Sequence, residues 1–193
     1  MVSYPNPYHD LYERLVLASP ALDPERLSAI RKKLIWSYSW AVPSPEAIAL
    51  IAREKRVIEV GCGTGYWAWL IAQAGGSVVA YDREPHQAPR WFEIQEWPAD
   101  YQQRTDCLSQ HQDRALFLCW PPLNESMAFE TLQAYRGNTV IYVGEWRGRT
   151  ADASFHDELE KRFTRENETA IPNWPGFSDR ISVWKAKRES DSE

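Results

Sequence analysis

The stretch from Arg56 to Asp82 constrains the fold more than any other part of the chain. Val57-Ile58-Glu59-Val60 is a short β-branched run. Gly61-Cys62-Gly63-Thr64-Gly65 follows it, Tyr66 to Ala74 reads as a helix closed by Gly75-Gly76, and Ser77 to Tyr81 is a second apolar run. Strand, glycine turn, helix and strand in that order make a βαβ unit. Glycines at such a turn let the backbone bend tightly and approach a ligand closely. The helix behind the turn presents unpaired N–H groups and a partial positive charge at its start. A dinucleotide-binding turn reads G-x-G-x-x-G, the third glycine packing helix on strand. Tyr66 stands at that third position, and the glycine comes one residue earlier. One acid, Glu59, precedes the turn by two residues, and another, Asp82, closes the second strand. An acid about 20 residues past the turn is placed to accept hydrogen bonds from ribose hydroxyls.

The rest of the chain continues the alternation. Before the unit, residues 8–18 and 23–35 carry apolar side chains at helical spacing, with Asp23 and Pro24 as start signals. Trp36 to Pro43 is uncharged and aromatic, and Ser44-Pro45 opens a third helix to about Arg53. After the unit, prolines at 85, 89 and 98 interrupt the text, which predicts a short helix over 90–96 and a weak strand over 100–104. Strands follow at 115–120 and 139–146, helices at 127–135 and 153–163, and two final strands at 164–171 and 180–187. Seven strands alternating with helices imply a mostly parallel sheet covered on both faces, with a hairpin at one edge. A length of 193 residues suits one domain. Residues 1–54 are expected to form N-terminal helices and a lid, 55–188 the core, and 188–193 a polar tail.

Charge and cysteine usage exclude several classes. The net charge is −5, and the basic clusters Arg31-Lys32-Lys33 and Lys185, Lys187, Arg188 are short. A nucleic-acid binder usually shows a longer basic stripe, so nucleic acid is not expected as the partner. Three cysteines without C-x-x-C spacing argue against a disulfide framework or a zinc site, and no metal is expected. With no run near the ~20 apolar residues that span a bilayer, and no apolar stretch in residues 1–10, a cytoplasmic protein without membrane partners is expected. Oligomeric state stays open.

Residues 56–82 resemble motifs I and II of the class I S-adenosylmethionine (SAM)-dependent methyltransferases. The resemblance implies SAM as cofactor. It also implies an α/β, three-layer, Rossmann-like, seven-stranded sheet, mostly parallel with an antiparallel terminal strand. Gly61, Gly63 and Gly65, with Cys62 between them, would pass under the methionine part of SAM, and Glu59 would orient that part. Asp82 would hold the ribose, with Arg83 beside it, and Asp106, after the expected third strand, would lie near the adenine amino group. The segment 36–43 is positioned like the stretch that covers SAM in this family, so Tyr38 and Trp40 are expected over the cofactor.

Ligands of open α/β sheets lie beyond the carboxyl ends of the strands. Cys119-Trp120-Pro121-Pro122-Leu123-Asn124 follows the fourth strand. Family members that methylate amino groups often carry Asn or Asp, Pro-Pro and an aromatic there. Trp120 and Leu123 replace the two flanking residues, which argues against methylation of a nucleobase or glutamine amine. The fifth strand ends at Glu145, read either as an acceptor-binding carboxylate or base, or as a salt-bridge partner of Arg147 or Arg149. Trp120 and Glu145 are the expected catalytic residues. Aromatic faces attract a sulfonium by ~0.5–2 kcal/mol, and Tyr38, Trp40, Trp120, Trp146 and Trp174 are candidates for such a wall. The expected function is methyl transfer to a small molecule. An RNA or protein methyltransferase, and a SAM-binding protein without methyl transfer, are the alternatives.

Overall fold

Cap residues and prolines set where the helices begin. In a computed structural model that describes residues 4–17, 23–85 and 88–188, helix α1 (Pro7–Tyr12) starts behind Asn6, whose side chain accepts a hydrogen bond from the His9 amide at 3.2 Å. It runs on as a π-helical turn over Glu13–Leu17. Helix α2 (Pro24–Ser37) follows Asp23, and α3 (Pro45–Ala52) is capped by the Ser44 hydroxyl. The expected polar tail lies outside the described residues apart from Arg188.

The core is built from β1 (Arg56–Val60), α4 (Tyr66–Gln73), β2 (Ser77–Asp82), β3 (Gln95–Glu96), α5 (Tyr101–Ser109), β4 (Ala115–Cys119), α6 (Met127–Ala134), β5 (Thr139–Gly144), α7 (Ala153–Arg162), β6 (Phe163–Ala170) and β7 (Arg180–Ala186). The sheet order is β3-β2-β1-β4-β5-β7-β6. Every pair is parallel except β5–β7 and β6–β7, so the last strand runs against its neighbours, as the seven-stranded expectation required. Strand alternation divides the core into two layers. Val57, Phe117, Ile141 and Val183 pack with Ile48, Trp67 and Leu70 of α3 and α4. Ile58, Leu116, Val140 and Trp184 pack on the other face with Leu108, Leu132 and Phe155 of α5, α6 and α7. The central strands are therefore buried on both sides, the condition under which parallel strands read as continuous apolar runs.

The expectation for residues 90–104 is corrected. The helix lies at 101–109, where a strand was predicted, and the strand is the short pair 95–96. Asp100 caps the helix by accepting from the Gln103 amide at 3.0 Å, and the Arg104 guanidinium donates back to the carbonyls of Pro98 and Ala99 at 2.7 and 2.8 Å. Gln95 and Glu96 become a strand only through pairing with Tyr81 and Asp82, a nonlocal contact that no periodicity encodes.

One buried hydroxyl ties the bottom of the sheet together. The Tyr135 hydroxyl is fully buried within reach of two carbonyls, Arg114 at 2.7 Å and Thr139 at 2.8 Å, and its one proton serves one of them at a time. Tyr135→Phe should lower unfolding free energy by about 1–2 kcal/mol, read as a shift in the urea midpoint. A midpoint equal to wild type would show that the hydroxyl contributes nothing net.

Candidate functional site

The site forms where β1 ends. Glu59 is 1% exposed and sits in register with Ala80 and Phe117. Its Oε2 is buried and makes no hydrogen bond. Burial first, and the nearby Asp82 charge second, hold its carboxyl well above the usual carboxylate range. The chain then turns. The amides of Gly61 and Cys62 both donate to the Tyr81 carbonyl, at 2.8 and 3.1 Å, which seats the turn on the end of β2.

Gly61, Gly63 and Gly65 all have φ between +55° and +76°, where side chains with a Cβ are strained. Packing separates their roles. A Cβ on Gly65 would fall 2.9 Å from Phe92, and one on Gly61 would fall 2.9 Å from the Met127 methyl. A Cβ on Gly63 would meet no atom within 4 Å. Gly63 is thus the residue whose backbone is left open to a ligand. Its amide donates to Asp82 Oδ2 at 2.8 Å, and the Glu84 amide donates to Oδ1 at 3.0 Å. The Asp82 carboxylate is oriented before any ligand arrives.

A roof crosses this turn. The Thr64 hydroxyl donates to the Tyr38 carbonyl, the Trp91 amide to the Thr64 carbonyl at 2.8 Å, and the Trp91 indole N–H to the Ser37 carbonyl at 2.8 Å. The Tyr38 ring is stacked between Tyr8 and Trp91, at 5.1 and 5.4 Å. Beneath the roof lies a narrow cavity of about 110 Å³ that includes Tyr38, Trp40, Glu59, Gly61, Cys62 and Gly63 in its wall. It shares Trp36, Trp40, Gly61 and Gly63 in its wall with an adjoining open cleft of about 660 Å³ that reaches Asp82, Arg83, Trp97 and Met127.

Most of the expected cofactor residues therefore meet in one groove, with Gly65 at the start of α4 supporting the turn. Asp106 does not join them. It lies on the exposed side of α5, where its Oδ1 accepts from Gln102 at 2.9 Å; it was assigned from a strand that is in fact this helix. Trp146 and Trp174 also leave the proposed aromatic wall. Trp146 stacks on Trp184 at 4.9 Å within the layer under α7, and Trp174 is buried against Tyr12 and donates to the Tyr8 hydroxyl at 3.1 Å.

Trp120 has φ of +54° and stacks on Trp40 with ring centres 5.0 Å apart. Its indole N–H donates to Asp179 Oδ1 at 2.7 Å. Glu145 is buried, with Oε1 accepting from the Ser178 amide at 2.8 Å and Oε2 paired with Arg149 at 3.1 Å. Arg147 pairs instead with Asp157 and Glu160. Oε1 of Glu145 holds the loop between β6 and β7, while Oε2 pairs with Arg149 in the loop after β5.

That loop supplies a residue the sequence did not signal. Asp179 is 3% exposed, and burial pushes its carboxyl up to about 6. Nothing local distinguishes it from a solvated loop acid. Trp36, Thr64 and Met127 were missed as well; of these only Trp36 carried a signal, its place in the uncharged aromatic run.

Sheet order and the glycine turn give the chain a Rossmann-like fold of the kind class I methyltransferases share. A family model described as a methyltransferase domain matches residues 32–120, the part that holds the roof, the turn and β4. The Burkholderia thailandensis 1,6-didemethyltoxoflavin-N1-methyltransferase, crystallised with 1,6-didemethyltoxoflavin and S-adenosylhomocysteine, is 14% identical. It aligns over 88% of this chain and 92% of its own, with a TM-score of 0.52. Cofactor-bound Rv0187 from MTB is 15% identical over 97% of this chain and 100% of its own, with a TM-score of 0.53. These likenesses are likenesses of fold. No curated protein matches the sequence. Among the described residues no helix is long and apolar enough to cross a membrane.

Proposed function

We propose that the chain binds SAM along this groove and transfers its methyl group to a small-molecule acceptor. The observation that carries the reading is the pair of carboxylates flanking the glycine turn, Glu59 lining the cavity and Asp82 the adjoining cleft. Glu59, with a buried oxygen lacking a partner, suits the ammonium of an amino acid at the narrow end. Asp82, held by two backbone amides, suits a ribose diol at the open end. Between them Gly63 leaves room for close approach of a ligand. When bound, the sulfonium supplies an electrophilic methyl group. The protein's part is to align that methyl with the acceptor and exclude water. The tied roof over 36–43 serves the second task, and the described helices before it act with it as a lid on the single domain. Glu145, tied to Ser178 and Arg149, positions the acceptor loop, and Trp120 forms its wall.

The acidic balance of the chain supports a small acceptor, as does the 1,6-didemethyltoxoflavin bound in the Burkholderia enzyme. Calorimetry with SAM, S-adenosylhomocysteine and NADH tests the cofactor: the two adenosyl compounds should bind and NADH should not. Binding of NADH alone would overturn the reading. Tight RNA binding that weakens steeply with salt would move the acceptor to nucleic acid.

A further inference from the structure

Trp120 and Asp179 are each held in an unfavourable state. Trp120 follows β4 with φ of +54°, in the left-handed region where a residue with a bulky side chain is strained. Asp179 precedes β7 and is 3% exposed, and among the described residues it makes no salt bridge. A carboxylate taken out of water without a paired cation loses hydration that hydrogen bonds must replace. The two residues meet in one contact: Trp120 Nε1 donates to Asp179 Oδ1 at 2.7 Å. Strained backbone and a buried acid coinciding at one hydrogen bond persist only where the surroundings hold both in place.

Both partners are fixed from behind. The Trp120 amide donates to the Val143 carbonyl at 2.8 Å. The Asp179 amide donates to Asn173 Oδ1 at 2.6 Å, and its carbonyl accepts from Asn173 Nδ2 at 3.0 Å. The indole so placed stacks on Trp40, with ring centres 5.0 Å apart and planes 12° from parallel. Trp40 lines both the narrow cavity and the cleft. Contact therefore runs from a loop acid, through one indole, to the ring at the cavity wall. Arg31 of α2 lies over the same two rings, at 5.7 and 5.6 Å. Arg31 and Arg149 set positive charge near Asp179, and Glu145 sets negative charge there. Tyr8 of α1, Tyr142 of β5 and Cys119 of β4 also feel the Asp179 charge. Burial pushes all three above their ordinary values, so they stay neutral where Asp179, at about 6, gains its proton.

We propose that Asp179 is a positioning residue for the cofactor cavity: its hydrogen bond to the Trp120 indole fixes the Trp120–Trp40 stack, and with it the wall that Trp40 presents to an adenosyl ligand. The proposal rests on the SAM reading for the identity of the ligand, and on the stack alone for the positioning. Asp179 lines neither the cavity nor the cleft and acts only through the two rings. This also accounts for Trp120 in place of the amide or carboxylate expected before Pro121 and Pro122. A carboxylate there would repel Asp179, and neither side chain would give Trp40 a face to stack on. Loss of the Asp179 charge turns a charge-assisted hydrogen bond into a neutral one about half as strong. The stack should therefore loosen as pH falls through about 6.

The full chain is labelled with fluorotryptophan, and fluorine NMR follows it from about pH 8 to about pH 5. Loss of a signal in Trp40→Phe or Trp120→Phe identifies the two indoles. Both signals should shift together with a midpoint near 6. Neither should do so in Asp179→Asn, which mimics the protonated acid. Calorimetry with S-adenosylhomocysteine reads the consequence. At about pH 8 Asp179→Asn should bind roughly threefold to tenfold more weakly than the wild type. The ratio should close toward one at about pH 5, where the wild-type carboxyl carries its proton too. Glu59 and the groups around Asp179 are common to both proteins and cancel in that ratio. Asp179→Asn added to Trp120→Phe should bind no more weakly than Trp120→Phe alone, because Asp179 acts through that indole. An acid with a merely structural role would lower affinity by the same factor at every pH. Signals that stay still in the wild type, signals that titrate alike in Asp179→Asn, a ratio independent of pH, or additive losses in the double variant would each overturn the proposal. If the signals follow Asp179 and S-adenosylhomocysteine binds at no pH, the cofactor reading falls while Asp179 still sets the stack. If it binds with an affinity indifferent to Asp179, the positioning falls and the cofactor reading stands. The wild-type titration keeps the test decisive even where a variant fails to fold.

Discussion

Gly63→Arg should abolish measurable binding of S-adenosylhomocysteine, a loss of roughly a thousandfold or more, while the variant melts within a few degrees of the wild type. Two features of the turn set these apart. The Cβ of a residue at 63 enters open space, with no atom within 4 Å, so nothing in the core must move. The backbone penalty is that of a non-glycine residue in the left-handed region, about 1–2 kcal/mol. The long side chain then has only the groove to occupy, directly beside the Asp82 carboxylate that accepts from the Gly63 amide. Calorimetry measures the affinity and circular dichroism the melt. An unchanged affinity in a folded variant would remove the turn from the site. Gly65 offers no such clean test, because a Cβ there would lie 2.9 Å from Phe92 and 3.3 Å from its amide nitrogen, and the fold itself would have to shift.

Glu59→Gln should have opposite effects on stability and on binding. Its carboxyl is held well above the usual range in the folded chain, chiefly by burial and then by the Asp82 charge. The folded state therefore binds the Glu59 proton more tightly than the unfolded state does. The contribution of this group to stability is fully present below the unfolded pKa of about 4.3 and is lost as pH rises toward the folded value. Glutamine has no such proton. At pH 8 the variant should be more stable than the wild type by about 1–3 kcal/mol, the scale of an unsatisfied buried polar group, and the advantage should shrink as pH falls toward 5. Asp179 shifts in the same direction, but it is common to both proteins and cancels in the difference. Affinity should move the other way. Replacing the carboxylate removes the charge that faces the ligand's ammonium, at a cost of roughly tenfold to a hundredfold. Urea titrations at pH 8 and pH 5, with calorimetry at pH 8, measure both effects. A wild type more stable than the variant at pH 8 would mean that the buried carboxylate is not a strained, ligand-awaiting group. Strain of this kind, kept where binding needs it, is the usual form of a stability–activity trade-off.

Legibility along the chain followed the range of the forces involved. The βαβ unit was readable because its signals are local: β-branched residues in β1, glycines where φ is positive, and an acid at each strand end. The sheet of seven strands was readable because alternating elements leave few ways to bury their apolar faces. Residues 90–104 were misread because β3 consists of two residues that gain strand geometry only from Tyr81 and Asp82, and Asp106 was carried along with that error. The aromatic wall was half legible. Tyr38 and Trp40 reach the groove because their own segment crosses it, whereas Trp146 and Trp174 were absorbed by packing in the two core layers.

What the amino-acid order settled by itself was the class of fold, the position of the glycine turn, and the two carboxylates that flank it. All of these depend on neighbours in the chain or on periodic burial. What only the folded structure decided was the aromatic cluster beside the groove. Arg31, Trp120, and Phe177 with Asp179 come from three separate segments and meet through tertiary packing. Whether a buried charge has a partner depends on which distant side chain arrives beside it: Asp179 found the Trp120 indole, and Arg31 packs on aromatic rings with the Asp179 charge nearby, whereas the Glu145–Arg149 pair is local and was legible. Pairing of that kind is a property of three-dimensional proximity, and linear spacing carries no record of it.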